Sequence, residues 1–324
     1  MGKMKFTNYT DVHPLMRAML SYSDYDYDGR ENVISATSIM KPTHMVVLER
    51  SNMAADKSMD IIGMIPSVGG NALHNMLETA LNNTDDDTWI GLGVPEPKEL
   101  EISTEIREET EIGDHIVSGK YDVMFKYKGG KWQLADFKSL SVWGVMIDKP
   151  GKVEEWVKQI SIYRFLNQDK DIDDVGVVLT WFTDWSKSDA MIKAKSGYPQ
   201  SRTDVEMVPL WSLDKTEAYL KNQEIKIVDG MARYLKHGKT GYACSEKELW
   251  MRKSGWAYYA KTGAKRATKV CETEEQANLL LLKAKDPTAY VEERKSIATR
   301  CSYCSVTEFC DQYQEHLVKG MIKL

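Results

Sequence analysis

Two adjacent stretches of the chain decide its fold: GKYDVMFKY at residues 119–127 and KWQLADFKSL at residues 131–140. Both alternate apolar and polar side chains and are rich in aromatic residues, as in a strand with one buried face. Gly129 and Gly130 lie between them, and paired glycines are typical of the tight turns that join antiparallel strands. The sequence therefore predicts a β-hairpin at this position.

The length of the turn fixes which side chains of the hairpin share a face. A two-residue turn would pair Asp122 with Phe137 and point Asp122 away from Asp136. A three-residue turn over 128–130, with one glycine in the left-handed conformation, would pair Asp122 with Asp136. Because side chains two residues apart on a strand point the same way, Lys138 would then join them. We favour the three-residue turn, or an equivalent bulge, which gathers the three charges.

The segments around the hairpin show helical periodicity or short apolar runs. The predicted helices cover 71–81, 153–166 and 214–235, and the predicted strands cover 175–182 and 205–211. The glycine pair at 69–70 is expected just before the first helix. This order predicts an α/β protein with a mixed central sheet flanked by helices.

Three parts follow from this pattern. Residues 1–65 form an N-terminal segment packing on the core, 66–235 form the core, and 236–324 form a helical C-terminal region. The last boundary is placed where Gly238 and Gly241 interrupt the helical pattern, and all five cysteines lie beyond it.

The composition points to a folded protein that acts away from membranes. The chain has 324 residues, 42% of them hydrophobic, and a net charge of -5. It has no apolar run of the roughly 20 residues that a membrane span needs and no secretory signal pattern. We therefore expect a cytoplasmic protein, in the host cytoplasm if it is phage-encoded, with no membrane partner. The net charge does not indicate nucleic-acid binding, but it leaves room for a local basic groove.

The hairpin charges point to a metal site. Two opposed carboxylates, Asp122 and Asp136, repel each other unless a cation neutralises them, and oxygen ligands suit Mg²⁺ or Mn²⁺. A nearby lysine, Lys138, can hold an attacking water or stabilise charge on a scissile phosphate. The alternative, solvated charges on an exposed strand face, stays open on this pattern alone.

Neighbouring motifs make the pattern more specific. On helices, His74 and Glu78 lie one turn apart, as do Gln159 and Tyr163. Four blocks occur in order: Gly-x3-His-x3-Glu, Gly-x2-Asp, Asp-x-Lys and Gln-x3-Tyr. As a set they closely resemble the motifs of the RecB-like branch of the PD-(D/E)XK nucleases, which includes Cas4 and AddB proteins.

The resemblance implies a restriction-endonuclease-like core and a metal-dependent DNA nuclease that uses Mg²⁺ or Mn²⁺. Within it, the implied metal ligands are His74, Asp122, Asp136 and the Phe137 carbonyl, and the implied catalytic group comprises Lys138, Asp122, Asp136, Glu78, Gln159 and Tyr163. Lys138 is the catalytic lysine, Gln159 and Tyr163 position it and the substrate, and Glu78 supports the metal. Asp136 stands where many members have Glu, which shortens its reach. A hydrogen-bonded core histidine at 74 and structural roles for Gln159 and Tyr163 remain the alternatives.

Three thiols cluster near the end of the chain, at Cys301, Cys304 and Cys310. A four-thiolate site needs one more ligand, which is Cys244 or Cys271. The pattern resembles the [4Fe-4S] cluster of Cas4-like and AddB-like nucleases, which staples their domain ends together. In those families the distant cysteine precedes the nuclease motifs, whereas here it follows them.

Cys244 is preferred as the fourth ligand, because the segment around it resembles one in phage-encoded nucleases of this branch. Cys271 is expected in a strand as a small buried hydrophobe. Zinc in place of iron, and unligated thiols, stay open.

A basic stretch near the cysteines is a candidate DNA contact. The cations lie beside Trp256, Tyr258 and Tyr259, and cations with interleaved aromatics suit a single-stranded path. They are Lys261, Lys265, Arg266 and Lys269. A solvated basic face is the competing interpretation.

The leading hypothesis is a metal-dependent DNA exonuclease that acts on ends or single strands in phage DNA metabolism, recombination or repair. One alternative is a Cas4-like factor that trims DNA for CRISPR spacer acquisition, and another is a non-catalytic nucleic-acid-binding module. DNA is the expected partner, together with recombination or single-strand-binding proteins. Cleavage polarity, strand preference and homo-oligomer formation are left open by the sequence.

Overall fold

The computed structural model describes residues 4–22, 28–55 and 57–323. The chain divides into two compact units. Unit 1 comprises Met1–Lys41 and Met53–Lys226, and unit 2 comprises Pro42–Asn52 and Ile227–Leu324. The predicted N-terminal segment, 1–65, is therefore divided between the two units. No helix among the described residues is both long and apolar enough to cross a membrane.

Strands and helices occur in both units. The strands are β1 Met4–Thr7, β2 Val33–Ser35, β3 Lys57–Asp60, β4 Leu100–Thr104, β5 Arg107–Ile112, β6 His115–Lys120, β7 Val123–Tyr127, β8 Gln133–Leu140, β9 Val175–Phe182, β10 Thr203–Pro209, β11 Met251–Arg252, β12 Gly255–Tyr259, β13 Lys269–Cys271, β14 Tyr290–Arg294 and β15 Ile297–Ala298. The α-helices are α1 Pro14–Ser21, α2 Thr43–Ser51, α3 Ile65–Asn83, α4 Asp86–Gly91, α5 Val142–Ile147, α6 Lys149–Leu166, α7 Lys187–Ile192, α8 Leu213–His237, α9 Glu274–Leu281 and α10 Asp311–Val318.

Unit 1 is built on a mixed sheet, as the sequence predicted. Among its described residues the strand order is β10-β9-β8-β7-β4. The central pair β8 and β9 is parallel, and the remaining pairs are antiparallel. The run at 175–182 forms β9 over its full predicted length, because its continuous apolar sequence suits a central strand.

The hairpin has the register of the three-residue turn. Val123 pairs with Ala135 and Phe125 with Gln133, which continues to Asp122 opposite Asp136. Gly129 has a φ of +76°, a left-handed conformation that glycine adopts without steric cost. The preferred register is therefore confirmed.

Helices cover both faces of this sheet. On one face, Leu77 and Leu81 of α3 pack against Val123, Ala135 and Val177. On the other face α6 comes so close that a Cβ on Gly176 would lie 2.9 Å from Ile160. Because side chains alternate along a strand, the neighbours of Ala135 on β8 point toward α6.

Several boundaries differ from the sequence predictions; the helices predicted at 153–166 and 214–235, for example, are α6 Lys149–Leu166 and α8 Leu213–His237. Helix α3 begins at Ile65 and includes Gly69 and Gly70, because Pro66 starts it and its surface packs on the sheet. The stretch 119–127 is not one strand, since its first two residues end β6, Tyr121 and Asp122 form a break, and 123–127 form β7. The strand predicted at 205–211 covers Thr203–Pro209.

A smaller sheet lies beside the hairpin in unit 1. Its order is β2-β6-β5, with β2 parallel and β5 antiparallel to β6. The break between β6 and β7 falls at Tyr121, which is buried and whose hydroxyl lies 2.9 Å from that of Ser103. The chain thus passes from one sheet to the other immediately before Asp122.

Unit 2 combines short strands with helices, so the expectation of a helical C-terminal region is wrong. Strands β12, β13 and β14 form one sheet and β11 pairs with β15. Alternating residues such as Trp256 and Tyr258 favour extended structure here. Helix α2 belongs to this unit, where Leu48 packs against Val306 and Cys310.

Candidate functional site

A polar cleft of about 400 Å³ opens in unit 1. Its lining comes from α3, the start of β5, the end of β6, the hairpin and α6. The charged and catalytic-type residues among the lining are His74, Glu105, Arg107, Lys120, Asp122, Lys138, Gln159 and Tyr163. The cleft therefore brings together residues from all four sequence motifs.

Three metal-binding side chains converge on one side of the cleft. One ligand atom from each of His74, Glu105 and Asp122 lies within 4.8 Å of the others. His74 Nδ1 is 3.5 Å from Asp122 Oδ1 and 4.0 Å from Glu105 Oε1. The hydrogen bond to Asp122 raises the pKa of His74, and burial opposes this effect. Two carboxylates and an imidazole form a donor set suited to a divalent cation.

Glu105 reaches this position through an unusual backbone conformation. Its φ is +54°, in the left-handed region that residues with a Cβ seldom adopt. Its N–H donates to the Asp122 carbonyl at 3.1 Å, and its carboxylate forms an ion pair with Lys120. Such strain persists where surrounding contacts hold it in place, and it is common at functional sites.

Contacts from the hairpin strand β8 also hold Asp122 and His74 in place. The Phe137 N–H donates to Asp122 Oδ2 at 2.7 Å. The Phe137 ring also meets the His74 ring edge to face, with centroids 5.6 Å apart. Both sides of the His74–Asp122 pair are therefore positioned by one residue of β8.

Asp136 lies beneath the cleft. Its side chain is 2% exposed, and neither oxygen accepts a well-aligned hydrogen bond among the described residues. Burial raises the pKa of Asp136 from its ordinary value of 3.8 to about 6, while the charge of Lys138 opposes this and that of Asp122 adds to it. A buried carboxylate with this environment gains from a nearby cation.

Lys138 connects the carboxylates to helix α6. Its Nζ lies 2.7 Å from Asp136 Oδ2 and donates to Gln159 Oε1 at 2.9 Å. Gln159 Nε2 in turn donates to the Tyr163 hydroxyl at 2.9 Å. Gly119 makes room for this chain, since a Cβ there would lie 3.0 Å from the Tyr163 ring. The lysine is thus fixed in direction rather than free in solvent.

The other half of the cleft is lined by basic side chains and hydroxyl groups. Ser35 and Ser118 are direct partners on β2 and β6, and Arg107 and Lys120 are partners on β5 and β6. Because these positions share one face, all four line the cleft. Arg107 Nη1 donates to Ser118 Oγ at 3.2 Å.

The structure therefore gathers most of the predicted residues and adds one. His74, Asp122, Asp136, Lys138, Gln159 and Tyr163 form one connected set. Glu105 was missed, because its position depends on a left-handed backbone at a non-glycine residue, for which the sequence carries no signal. Glu78 lies one turn further along α3 and is not among the described residues that line the cleft. Its supporting role, and that of the Phe137 carbonyl, stay predictions.

The cysteines form a second candidate site, in unit 2. Cys244, Cys301, Cys304 and Cys310 line one small cavity of about 20 Å³, together with His44 and Gln312. Burial raises the pKa of Cys244 to about 12 and that of Cys301 to about 11, with smaller contributions from neighbouring thiols. A metal group that binds these thiols must displace their protons.

The fourth thiol is held in place by a side-chain clamp. The Cys244 N–H donates to Gln312 Oε1, and Gln312 Nε2 donates to the Cys244 carbonyl, both at 2.8 Å. Cys271 is buried on β13 opposite Trp256 and does not line the cavity within the described residues. The position of Cys271 in a strand is confirmed.

The spacing of the thiols bears on what they can bind. In a tetrahedral zinc site with Zn–S distances near 2.3 Å, the sulfurs lie about 3.8 Å apart. Among the described residues, the cysteines do not form a group of three or more ligand atoms that all lie within 4.8 Å of one another. As placed in this structure, the described thiols therefore do not form a tetrahedral site for a single ion.

The basic stretch lies after β12 of unit 2 and ends on the first residue of β13. All four of its cations are exposed: Lys261, Lys265, Arg266 and Lys269. Nearby, the Tyr259 and Tyr290 rings are stacked with centroids 4.6 Å apart, whereas Tyr258 is buried. A DNA-binding role for these cations stays a prediction.

Comparisons with known proteins identify no family for the chain. No family model matches the chain, and neither does any curated protein. Among solved structures, the crystal structure of SSO0001 is similar, with 15% sequence identity and a TM-score of 0.41. The similarity covers 65% of this chain and 84% of SSO0001. Similarity this weak supports no conclusion about function.

Proposed function

We propose that the protein is a metal-dependent DNA nuclease, an exonuclease that acts on DNA ends or single strands. The observation that carries the proposal is the meeting of His74, Glu105 and Asp122 within 4.8 Å, in the cleft that also holds Lys138. Together with the four sequence motifs, it supports a PD-(D/E)XK core of the RecB-like branch. The biological setting we propose is phage DNA metabolism, recombination or repair, in the cytoplasm.

The donor set fits Mg²⁺ or Mn²⁺. His74, Glu105 and Asp122 would hold the ion, with Asp136 near enough for the charges of His74 and Asp122 to affect its pKa. The ion would supply Lewis-acid polarisation of a phosphate and a lower pKa for a water. The protein's own part is to place Lys138, which is held by Asp136 and Gln159, where it can orient a water or neutralise developing charge.

The rest of the cleft supports a phosphodiester as substrate. Arg107 and Lys120 provide cations, and Ser35 and Ser118 provide hydroxyls, on one face of a single sheet. Phosphate oxygens accept hydrogen bonds from such groups in most DNA complexes. A nucleic-acid backbone therefore fits this lining better than a neutral or cationic substrate.

For unit 2 we propose a [4Fe-4S] cluster on Cys244, Cys301, Cys304 and Cys310. The four thiols share one cavity but do not crowd around a single ion. A cubane takes one thiolate on each of its four irons, so its ligating sulfurs do not have to meet at one ion. The role we assign is structural, because thiolate ligation stabilises the folded unit directly.

The testing experiment incubates anaerobically purified protein with end-labelled DNA, single- and double-stranded, in Mg²⁺, Mn²⁺ or EDTA. We expect release of labelled nucleotides that depends on the metal and that reveals the polarity. Circular DNA serves as the control for an end requirement. Tight DNA binding without cleavage in either metal would instead identify the non-catalytic binding module.

A further inference from the structure

The cysteine cavity contains a buried histidine that the cluster assignment does not use. His44 lies in the first turn of α2 and is 8% exposed. Its Nε2 is 3.2 Å from the sulfur of Cys310, although the two residues are 266 positions apart.

Helix α2 is fixed against the segment that carries Cys310. Leu48 packs on Val306 and Cys310, and the Ser305 hydroxyl donates to Glu49 at 2.6 Å. The helix that carries His44 is therefore held against the Cys310 segment by two further contacts, which keep the imidazole beside the sulfur.

A threonine contacts the other nitrogen of the His44 ring. His44 Nδ1 is 2.7 Å from Thr240 Oγ1, and the Tyr242 N–H donates to that oxygen at 3.1 Å. The Thr240 hydroxyl can donate to Nδ1 or to the Tyr242 carbonyl, which is further away at 3.0 Å. When it donates to Nδ1, the ring proton lies on Nε2 and points at Cys310.

A shared metal ion is the competing explanation for so short a contact. A mononuclear site needs at least three protein ligands close together. Within the described part of the chain, no such group of metal-ligating atoms includes His44 and Cys310. The pair therefore has the geometry of an N–H···S hydrogen bond.

We propose that His44 is a positioning residue for the cluster: its Nε2–H donates to the Cys310 thiolate. The inference rests on the cluster proposed above. A donor at a ligating sulfur stabilises the extra negative charge of the reduced cluster, so it raises the reduction potential. It also orients the thiolate, so it slows the loss of iron.

The experiment compares wild type with His44→Leu, His44→Gln and Thr240→Val, all purified without oxygen. Iron content, the electron paramagnetic resonance spectrum of the reduced cluster, reduction potential at one fixed pH and iron loss to a chelator are measured. We expect His44→Leu to keep about four irons, to have a more negative potential and to lose iron about tenfold faster. His44→Gln, which can place an N–H near the Nε2 position, restores part of both properties. Thr240→Val, which leaves the imidazole in place, shifts both in the direction of His44→Leu.

The outcomes separate the two proposals. A wild-type protein without iron overturns the cluster, and one zinc per chain would show that a single ion takes its place. A wild-type protein with a cluster whose potential and iron loss are unchanged in His44→Leu overturns the role of His44 alone. If His44→Leu does not fold, unchanged values in Thr240→Val overturn it instead, because that variant removes the hydroxyl that keeps the ring proton on Nε2.

Discussion

The cleft of unit 1 and the cysteine cavity of unit 2 differ in size and in chemistry. The cleft has a volume of about 400 Å³ and is lined by carboxylates, cations and hydroxyls held by ion pairs. The cavity has about 20 Å³ and is lined by thiols whose pKa values burial raises. The first suits a large polyanion that binds and leaves, and the second suits a small group that stays. Variants of the cleft and of the cavity should therefore differ in what they lose.

The largest expected effect is the loss of cleavage when the cleft loses its lysine. Lys138→Ala should lower DNA cleavage by about 10³-fold or more, because it removes a charge that acts in the transition state. Circular dichroism and DNA binding should stay close to wild type. The matched control is Lys126→Ala on the same hairpin, whose ammonium pairs with Glu101 outside the cleft. Comparable activity in the Lys138 and Lys126 variants would contradict the proposed site.

The cavity should respond in the opposite way, through stability rather than through chemistry. Cys310→Ser should remove the iron, and with it the brown colour expected of an iron–sulfur protein, and should lower the free energy of unfolding by roughly 4 kcal/mol or more, because ligation stabilises the unit. Cys271→Ser, which changes a buried thiol outside the cavity, should keep colour and iron. Calorimetry and iron analysis measure both. If Cys271 were needed and Cys244 were not, the choice of fourth ligand would be wrong.

Glu105 and Glu78 provide a sharper comparison within unit 1. Glu105→Gln should raise the Mn²⁺ concentration for half-maximal cleavage about tenfold or more, since it removes a charge beside His74 and Asp122. Glu78→Gln, one turn along α3 from His74, should raise this concentration less, because Glu78 is not among the described residues that line the cleft. Metal titrations of cleavage rates distinguish the two carboxylates. An equal shift in both variants would indicate that Glu78 contributes to metal binding as much as Glu105 does.

How far the sequence reaches can be argued from the same residues. The paired glycines placed the hairpin and left two registers open, and the one we favoured, with Asp122 opposite Asp136, is the one observed. The apolar run at 175–182 set the limits of β9. Both depend on local pattern, which a sequence displays directly.

What the sequence could not show depends on contacts made elsewhere in the fold. Gly70 is helical because α3 packs on β8. A Cβ at Gly70 would lie 3.6 Å from the Ser139 hydroxyl, which is an ordinary contact, so the helix does not require glycine there. The left-handed conformation of Glu105 is held by Asp122, and the place of His44 is fixed by Cys310 and Thr240. Tertiary packing overrode local preference at each of these positions.

The smallest expected effect concerns the stability of unit 1 as a function of pH. Burial raises the pKa of Asp136 from 3.8 to about 6, so the folded, metal-free protein holds this proton more tightly than the unfolded chain. The stabilising contribution is complete below about pH 4 and is lost as pH rises through 6. Asp136→Asn has no proton to lose, so its stability relative to wild type should rise by on the order of 2 kcal/mol between pH 4 and pH 7.5.

Urea unfolding in EDTA at several pH values measures this difference. Asp171→Asn is the control, because the Asp171 carboxylate is 76% exposed and should give no such trend. A higher stability at neutral pH, combined with a loss of cleavage, would show that Asp136 is retained for chemistry at the expense of the fold. Parallel curves for wild type and Asp136→Asn would mean that the carboxylate is already compensated, and that a cation is not needed there.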